Sequence, residues 1–69
     1  MTFTADLRKR LRYELYECHV RPPSYRAASG WIGVCPSTVW RFLQGKPIDS
    51  DSLDLIVAYV RRKEAERAA

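Results

Sequence analysis

The side chains in this sequence best suited to metal binding or nucleophilic catalysis are Cys18, His19 and Cys35. A closed structural zinc site takes four ligands, so these three do not complete one. Cys18 and His19 are also adjacent, which points their side chains in different directions on a helix. A catalytic cysteine needs an activating base that a third group orients, and His19 has no evident acidic partner. We therefore expect no enzymatic activity, no metal site and no cofactor.

The start of the sequence and its cysteines together indicate the cellular compartment of the protein. Residues 1–3 lead into charged sequence rather than into the apolar region of a signal peptide, and apolar stretches such as residues 55–59 are too short to span a bilayer. Two cysteines in a chain without an export signal are more often reduced and packed than paired. We expect a soluble, cytoplasmic protein with no disulfide between Cys18 and Cys35.

The charge balance indicates the class of partner. Twelve Lys and Arg against eight Asp and Glu give a net charge of +4, and the isoelectric point is about 9.4. A basic surface favours a polyanionic partner, because binding releases the counterions of that partner. The length of 69 residues is near the lower limit for one unstapled core, so residues 1–69 should form a single domain without a deep catalytic cleft.

The first and last helices that the pattern predicts are both amphipathic. The first begins after Thr4 and ends near His19 or Val20, before Pro22-Pro23, and its apolar stripe is Leu7, Leu11, Leu15 and Cys18. We interpret its basic run as a solvated face, with phosphate contact as the alternative: Arg8, Lys9, Arg10 and Arg12. The fourth helix is capped by Asp49, Ser50 or Asp51, and its apolar stripe is Leu53, Ile56, Val57 and Val60. Residues 64–69 carry no large apolar side chain, so we expect this tail to fray.

Two short helices should lie between these, separated by Gly33-Val34-Cys35. Ser24 is placed to cap the second helix, and Gly33 to close it in the left-handed conformation. Pro36 suits the first position of a third helix over residues 36–44, which Gly45-Lys46-Pro47 ends. A glycine-containing connection of this length forces a steep corner, which can present its second helix to a groove. At about 100° per residue, one arc of the third helix is polar or aromatic, with Thr38 at its border: Pro36, Ser37, Trp40, Arg41 and Gln44. The opposite arc is apolar: Val39, Phe42 and Leu43.

Residues 24–46, SYRAASGWIGVCPSTVWRFLQGK, resemble the helix-turn-helix of the lambda-repressor-like, or Cro/repressor-type, DNA-binding domains of phages and bacteria. The shared features are a small residue in the second helix, a glycine at the turn, an apolar residue after it, a Ser-Thr-Val start and a Gly-Lys exit. With its flanking helices the resemblance covers roughly residues 4–63. It implies an all-α fold, a compact bundle of four or five short helices with the helix-turn-helix at residues 24–44.

The resemblance also implies roles for individual residues. The early part of the recognition helix would reach base edges in the major groove: Pro36, Ser37, Trp40 and Arg41. A guanidinium at Arg41 can bond guanine in a bidentate way, which is worth about 1 to 3 kcal/mol of discrimination. Contacts to the DNA backbone would come from Ser24, Tyr25, Thr38, Gln44 and Lys46.

The sequence departs from the family pattern at several positions. Ser29 stands where alanine is usual, Pro36 replaces a polar contact residue, and Trp40 is an unusual outward residue. Trp40 either touches DNA or packs under the first or fourth helix. We expect Trp31 in the core, because large aromatic side chains dominate the apolar area of small domains.

These inferences predict a sequence-specific, double-stranded DNA-binding protein. We expect a phage or bacterial transcriptional regulator of the repressor or Cro type in the cytoplasm of a bacterial cell. One short helix reads few base pairs, so we expect paired half-sites bound by a homodimer, which forms in solution or only on DNA. We expect neither a membrane nor a small-molecule partner. The alternative is a protein-interaction module that uses the same corner, with Trp40 and Leu43 as apolar anchors.

Overall fold

The computed structural model describes residues 3–17 and 20–68. Its elements in chain order are α1 (Phe3–Arg12), a π-helical segment (Tyr13–Glu17), α2 (Tyr25–Ile32), α3 (Pro36–Leu43) and α4 (Ser50–Ala68). The described residues contain no strand, so the predicted all-α fold with four helices is confirmed. The radius of gyration of the Cα atoms is 11.2 Å.

A single core joins all four helices. Its buried apolar members are Leu7, Leu11, Leu15, Ala28, Ile32, Val39, Phe42, Leu43, Ile56, Tyr59 and Val60. The two predicted apolar stripes therefore face inward wherever they are described, with Leu53 and Val57 partly buried at the edge. Tyr59 is a core residue that the predicted stripe of α4 omitted. Predictions that fall on Cys18 and His19 lie outside the described residues. Cys35 is a free and exposed thiol, so the expectation of packed cysteines is wrong for this residue.

The first helix differs from prediction at its start and in its third turn. Phe3 is already helical, so Thr4 lies one residue too late to be the cap. A wider π-helical turn then carries the chain from Tyr13 to Glu17. Glu14 is buried in this turn despite its charge, because it follows Leu11 by about one helical turn and so continues the apolar stripe.

The last helix begins and ends on polar contacts. Of the three predicted candidates, Asp49 is the N-cap of α4. Its carboxylate accepts a hydrogen bond from the Ser52 amide at 3.1 Å and from the Ser52 hydroxyl at 2.8 Å. These bonds to the hydroxyl and the amide lower the pKa of Asp49. At the other end, α4 continues to Ala68, through the residues that we expected to fray. The reason is that Glu64 and Arg67 bind side chains of the first helix and its π-helical turn, which a local apolar pattern cannot reveal.

Candidate functional site

The connection between α2 and α3 is built from local capping signals, as the sequence predicts. Ser24 caps α2, and its hydroxyl accepts a hydrogen bond from the Ala27 amide at 3.2 Å. Gly33 ends α2 with φ at 94°, a left-handed conformation that glycine adopts without steric cost. The Gly33 and Val34 amides both donate to the Ser29 carbonyl, at 2.7 and 3.1 Å. We call residues 24–46 the α2–α3 corner.

The corner closes at its far end on a second left-handed glycine. Gly45 has φ at 85°. Its amide donates to the Phe42 carbonyl at 3.1 Å, and the Lys46 amide donates to the Arg41 carbonyl at 2.9 Å, which together make a Schellman motif. Helix α3 therefore ends at Leu43 with Gln44 as its cap, one residue earlier than predicted.

Helix α3 has one buried face and one exposed face, in the arrangement that the helical period predicts. Val39, Phe42 and Leu43 are at most 3% exposed. The proposed reading arc is exposed, with Thr38 at its half-buried border: Pro36, Ser37, Trp40, Arg41 and Gln44. Leu43 is therefore unavailable as a surface anchor for a protein partner, because it is part of the core.

Serine at position 29 fits the corner without an unsatisfied hydroxyl. Ser29 is 4% exposed and lies beside Ala28 on the inward face of α2. Its hydroxyl donates to the Arg26 carbonyl at 2.8 Å. Serine can therefore take the place of alanine at this position, because the helix supplies the hydrogen-bond partner that a buried hydroxyl needs.

Two arginines of α1 bind the C-terminal end of α3. The Arg8 Nε donates to the Phe42 carbonyl at 2.8 Å, and its guanidinium lies 5.6 Å from the centre of the Phe42 ring. An Arg12 Nη2 donates to the Leu43 carbonyl. Carbonyls at a helix C-terminus lack helical partners and carry partial negative charge, so cations stabilise them. The interpretation of Arg8 and Arg12 as merely solvated is therefore wrong, since both hold α3 against α1.

Three of the predicted DNA contacts come together at the exit from α3. The ammonium of Lys46 lies 5.1 Å from the centre of the Trp40 ring. Trp40 is 40% exposed and so does not pack under α1 or α4. Arg41 and Lys46 line one shallow depression with Pro47. Trp40, Arg41 and Lys46 thus form one basic and aromatic patch, while Pro36 and Ser37 occupy the other end of α3.

The predicted backbone contacts at the start of α2 are exposed. Ser24 already uses its hydroxyl as a cap, but a hydroxyl has a second lone pair and a proton to offer a phosphate. Tyr25 lies beside Tyr16 of the π-helical turn: burial raises the pKa of the Tyr16 phenol, and the Tyr25 hydroxyl raises it further. Tyr25 is therefore positioned from the side of the first helix as well as by α2.

The basic residues of this corner lie in a long segment without acids, a signal that our sequence analysis missed. Residues 18–48 contain no Asp or Glu, and their basic residues are Arg21, Arg26, Arg41 and Lys46. This segment carries the same +4 as the whole chain, so the remaining acids and bases balance one another. Among the described residues, no ion pair engages any of the four. Counting charge by segment rather than over the whole chain would have revealed this.

The contact between α1 and α4 is the opposite case, because its cations are paired with acids. The Arg10 Nε donates to a Glu64 carboxylate oxygen at 2.9 Å, and Asp6 lies 3.5 Å from the same guanidinium. Arg67 binds the buried carboxylate of Glu14. The hydrogen bond between Arg10 and Glu64 lowers the pKa of Glu64 and raises the pKa of Arg10. We call this set of contacts the α1–α4 seam.

A separate groove lies between α2 and α4. Trp31 is 46% exposed, so the prediction that it belongs to the core is wrong. The inward face of α2 is Ala28, Ser29 and Ile32, and position 31 lies about 100° from the centre of that face. Instead, Trp31 lines a groove with Tyr59, Arg62 and Lys63.

The chain matches no family model, no curated protein and no solved structure. Over residues 3–17 and 20–68, no helix combines the length and apolar character needed to cross a membrane. The same residues contain no cluster of His, Cys, Asp and Glu that could hold a metal ion.

Proposed function

We propose that this protein binds double-stranded DNA through the α2–α3 corner, which acts as a helix-turn-helix with α3 in the major groove. The observation that carries the proposal is the coincidence of geometry and charge on α3. A helix anchored by Val39, Phe42 and Leu43 presents a polar face within a segment, residues 18–48, that carries a net charge of +4 and no acid. A major groove admits a helix of this kind, and its phosphates attract the surrounding cations.

Within this proposal Arg41 reads sequence. It is exposed on α3 and forms no ion pair among the described residues, so its guanidinium can reach the acceptors O6 and N7 of guanine. Ser37 adds a hydroxyl to the same face, whereas Pro36 offers only van der Waals contact. Trp40 supplies an aromatic surface that can lie against a sugar or a thymine methyl.

Backbone contacts position the reading face. Lys46 follows the Schellman turn and lies over Trp40, so its charge is held at the edge of α3. Ser24 and Tyr25 at the start of α2, with Thr38 and Gln44 on α3, complete the proposed phosphate contacts. Contacts of this kind fix register but carry no sequence information directly.

The biological role that we propose is transcriptional regulation, as in a repressor or Cro-type protein of a phage or bacterium, in the cytoplasm of a bacterial cell. A single reading helix covers too few base pairs to select one site in a genome. We therefore propose binding to two half-sites as a homodimer, whose assembly DNA can drive. Half-sites on the same side of the duplex are about one helical turn apart, or a multiple of that distance.

Selection of bound duplexes from a random pool tests this proposal. The expected result is an enriched motif with two related halves. Arg41→Ala should then lose about 1 to 3 kcal/mol of preference for that motif over random duplex. The matched control is Arg61→Ala, which removes the same charge from an exposed position on α4.

Lys46→Ala separates positioning from reading. Loss of a phosphate contact should weaken binding to all duplexes alike. It should also make the slope of log affinity against log salt shallower by the amount that one phosphate contact contributes. If neither wild-type protein nor any variant binds duplex DNA at low salt, the proposal is wrong. If Arg41→Ala and Arg61→Ala behave identically, α3 is not the reading helix.

A further inference from the structure

The groove between α2 and α4 combines an apolar floor with a basic rim. Two aromatic residues line it, and of these Trp31 is 46% exposed and Tyr59 is 3% exposed. On the rim, the guanidinium of Arg62 lies 5.5 Å from the centre of the Tyr59 ring, and the ammonium of Lys63 lies 5.9 Å from it. Both cations are thereby held at the groove by the electron-rich face of one aromatic ring.

The charges around this groove are partly uncompensated. Lys63 has one acidic neighbour, Glu66, at 3.7 Å, in a solvent-exposed pair that contributes little. Arg62 forms no ion pair among residues 3–17 and 20–68, and Arg61 beside it is exposed as well. The groove therefore presents positive potential over an exposed indole.

From these observations we infer that the groove lined by Trp31, Tyr59, Arg62 and Lys63 docks an acidic peptide segment of another protein, with one apolar side chain against Trp31 and carboxylates against Arg62 and Lys63. The apolar floor favours this occupant over a phosphate backbone, which has no apolar side chain to bury. The groove is also open, and four of the described residues line it, so it cannot bury most of a small ligand, as small-molecule sites do. This inference does not depend on DNA binding, because the groove shares no lining residue with the exposed face of α3.

The chain provides two reporters that separate the groove from the corner. It contains two tryptophans, Trp31 in the groove and Trp40 on α3, so an amide correlation spectrum has two indole N–H signals, which Trp31→Phe and Trp40→Phe assign. The probe is a short peptide of glutamates around a central phenylalanine. The expected result is a saturable shift of the Trp31 indole signal with the Trp40 signal unchanged.

Matched probes and variants test each part of the chemistry. A peptide with serine in place of phenylalanine tests the apolar anchor, and one with lysines in place of glutamates tests the charges; both should bind at least about tenfold more weakly. Arg62→Glu should weaken binding of the original peptide about fivefold to tenfold, whereas Arg61→Glu, an equal charge change outside the groove lining, should weaken it less. Trp31→Ala should weaken it by about thirtyfold. Circular dichroism of each variant checks that the fold is retained.

Three outcomes would overturn the inference. One is the absence of a saturable Trp31 shift up to millimolar peptide. A second is an equal effect of Arg61→Glu and Arg62→Glu, which would mean charge attraction without a groove. The third is a Trp31 shift on adding duplex DNA, with Arg62→Glu weakening duplex binding more than Arg61→Glu does, which would assign the groove to the DNA interface. DNA binding by α3 could fail while the peptide result holds, so the two proposals are tested separately.

Discussion

The α1–α4 seam and the α2–α3 corner both contain basic residues, but these residues have different surroundings in the two regions. At the seam, Arg10 and Arg67 face carboxylates, one of them buried, and their charges are neutralised within the fold. In the corner, Arg41 and Lys46 have no acid anywhere in the surrounding segment. Paired cations can hold helices together, whereas unpaired cations attract polyanions, which is why we propose the corner and not the seam as the DNA-binding surface.

Arg8 and Arg12 stand between the two regions. Both belong to α1, yet they bind main-chain carbonyls at the end of α3 rather than acids. Their charges are therefore not cancelled by a carboxylate, and they add to the positive potential near Lys46 while they hold α3 in place. The difference between the regions thus lies in the partner of each cation and not in the number of cations.

The largest expected effect comes from truncating a side chain of the core that both regions share. Phe42→Ala should lower the free energy of unfolding by about 3 to 5 kcal/mol, because a fully buried ring leaves a cavity. Urea unfolding measures the change. Trp40→Ala, on the exposed face of the same helix, is the control and should cost less than about 1 kcal/mol. Equal losses for the two variants would contradict the assignment of faces on α3.

Arg67→Ala is expected to break the seam without touching the corner. Glu14 is 5% exposed, so it loses its cationic partner while remaining buried; Arg67 itself is half-exposed and also lies 4.7 Å from the centre of the Tyr13 ring. The free energy of unfolding should fall by about 1 to 2 kcal/mol, less than for a fully buried pair. Preference for the selected DNA motif over random duplex should be unchanged, and a loss of preference would contradict the division into two regions.

Ser24→Asp is designed to affect the corner alone. Aspartate is as good a helix cap as serine and suits the positive end of a helix, so the free energy of unfolding should stay constant or rise slightly. A carboxylate facing phosphate should nevertheless weaken duplex binding about fivefold at low salt. Ala65→Asp adds the same charge at an exposed position on α4 and is the control. A fall in stability with unchanged DNA affinity would mean that Ser24 is only a cap.

The smallest expected effect is the pH response of the seam. The pKa of Glu64 lies below its ordinary value of 4.5 because Arg10 donates to the carboxylate. A carboxyl group with a lowered folded pKa contributes stability above its unfolded pKa and loses it as the pH falls through the folded value. Between about pH 6 and about pH 3, Glu64→Gln should therefore lose less stability than wild type by a few tenths of a kcal/mol, since both side chains remain partly accessible to solvent. Parallel urea-unfolding series at each pH test this, and identical pH dependence would show that the Arg10–Glu64 contact contributes nothing.

Much of the fold could be predicted because its boundaries depend on local chemistry. Ser24, Gly33 and Pro36 mark the ends of α2 and α3, and the structure uses each as the sequence suggests. The two faces of α3 follow from the helical period alone. The use of the exposed face does not follow from the same local rules, because recognition depends on a partner and not on the fold.

The failed predictions share a different cause. Trp31 was expected in the core on its residue type, but its position on α2 places it at a groove. The tail of α4 was expected to fray, yet Glu64 and Arg67 contact residues 54 and 53 positions earlier in the chain. Charged pairs so distant in sequence leave no local pattern to detect.

The sequence by itself determined where α2 begins and ends, where α3 begins and which face of α3 is exposed, because caps, glycines and the helical period act over a few residues. Only the tertiary structure decided what each cation binds: Arg10 and Arg67 bind acids, Arg8 and Arg12 bind main-chain carbonyls, and Arg41 is left to solvent. An electrostatic partner is set by distance in space, and it is the packing of α1 against α3 and α4 that sets those distances.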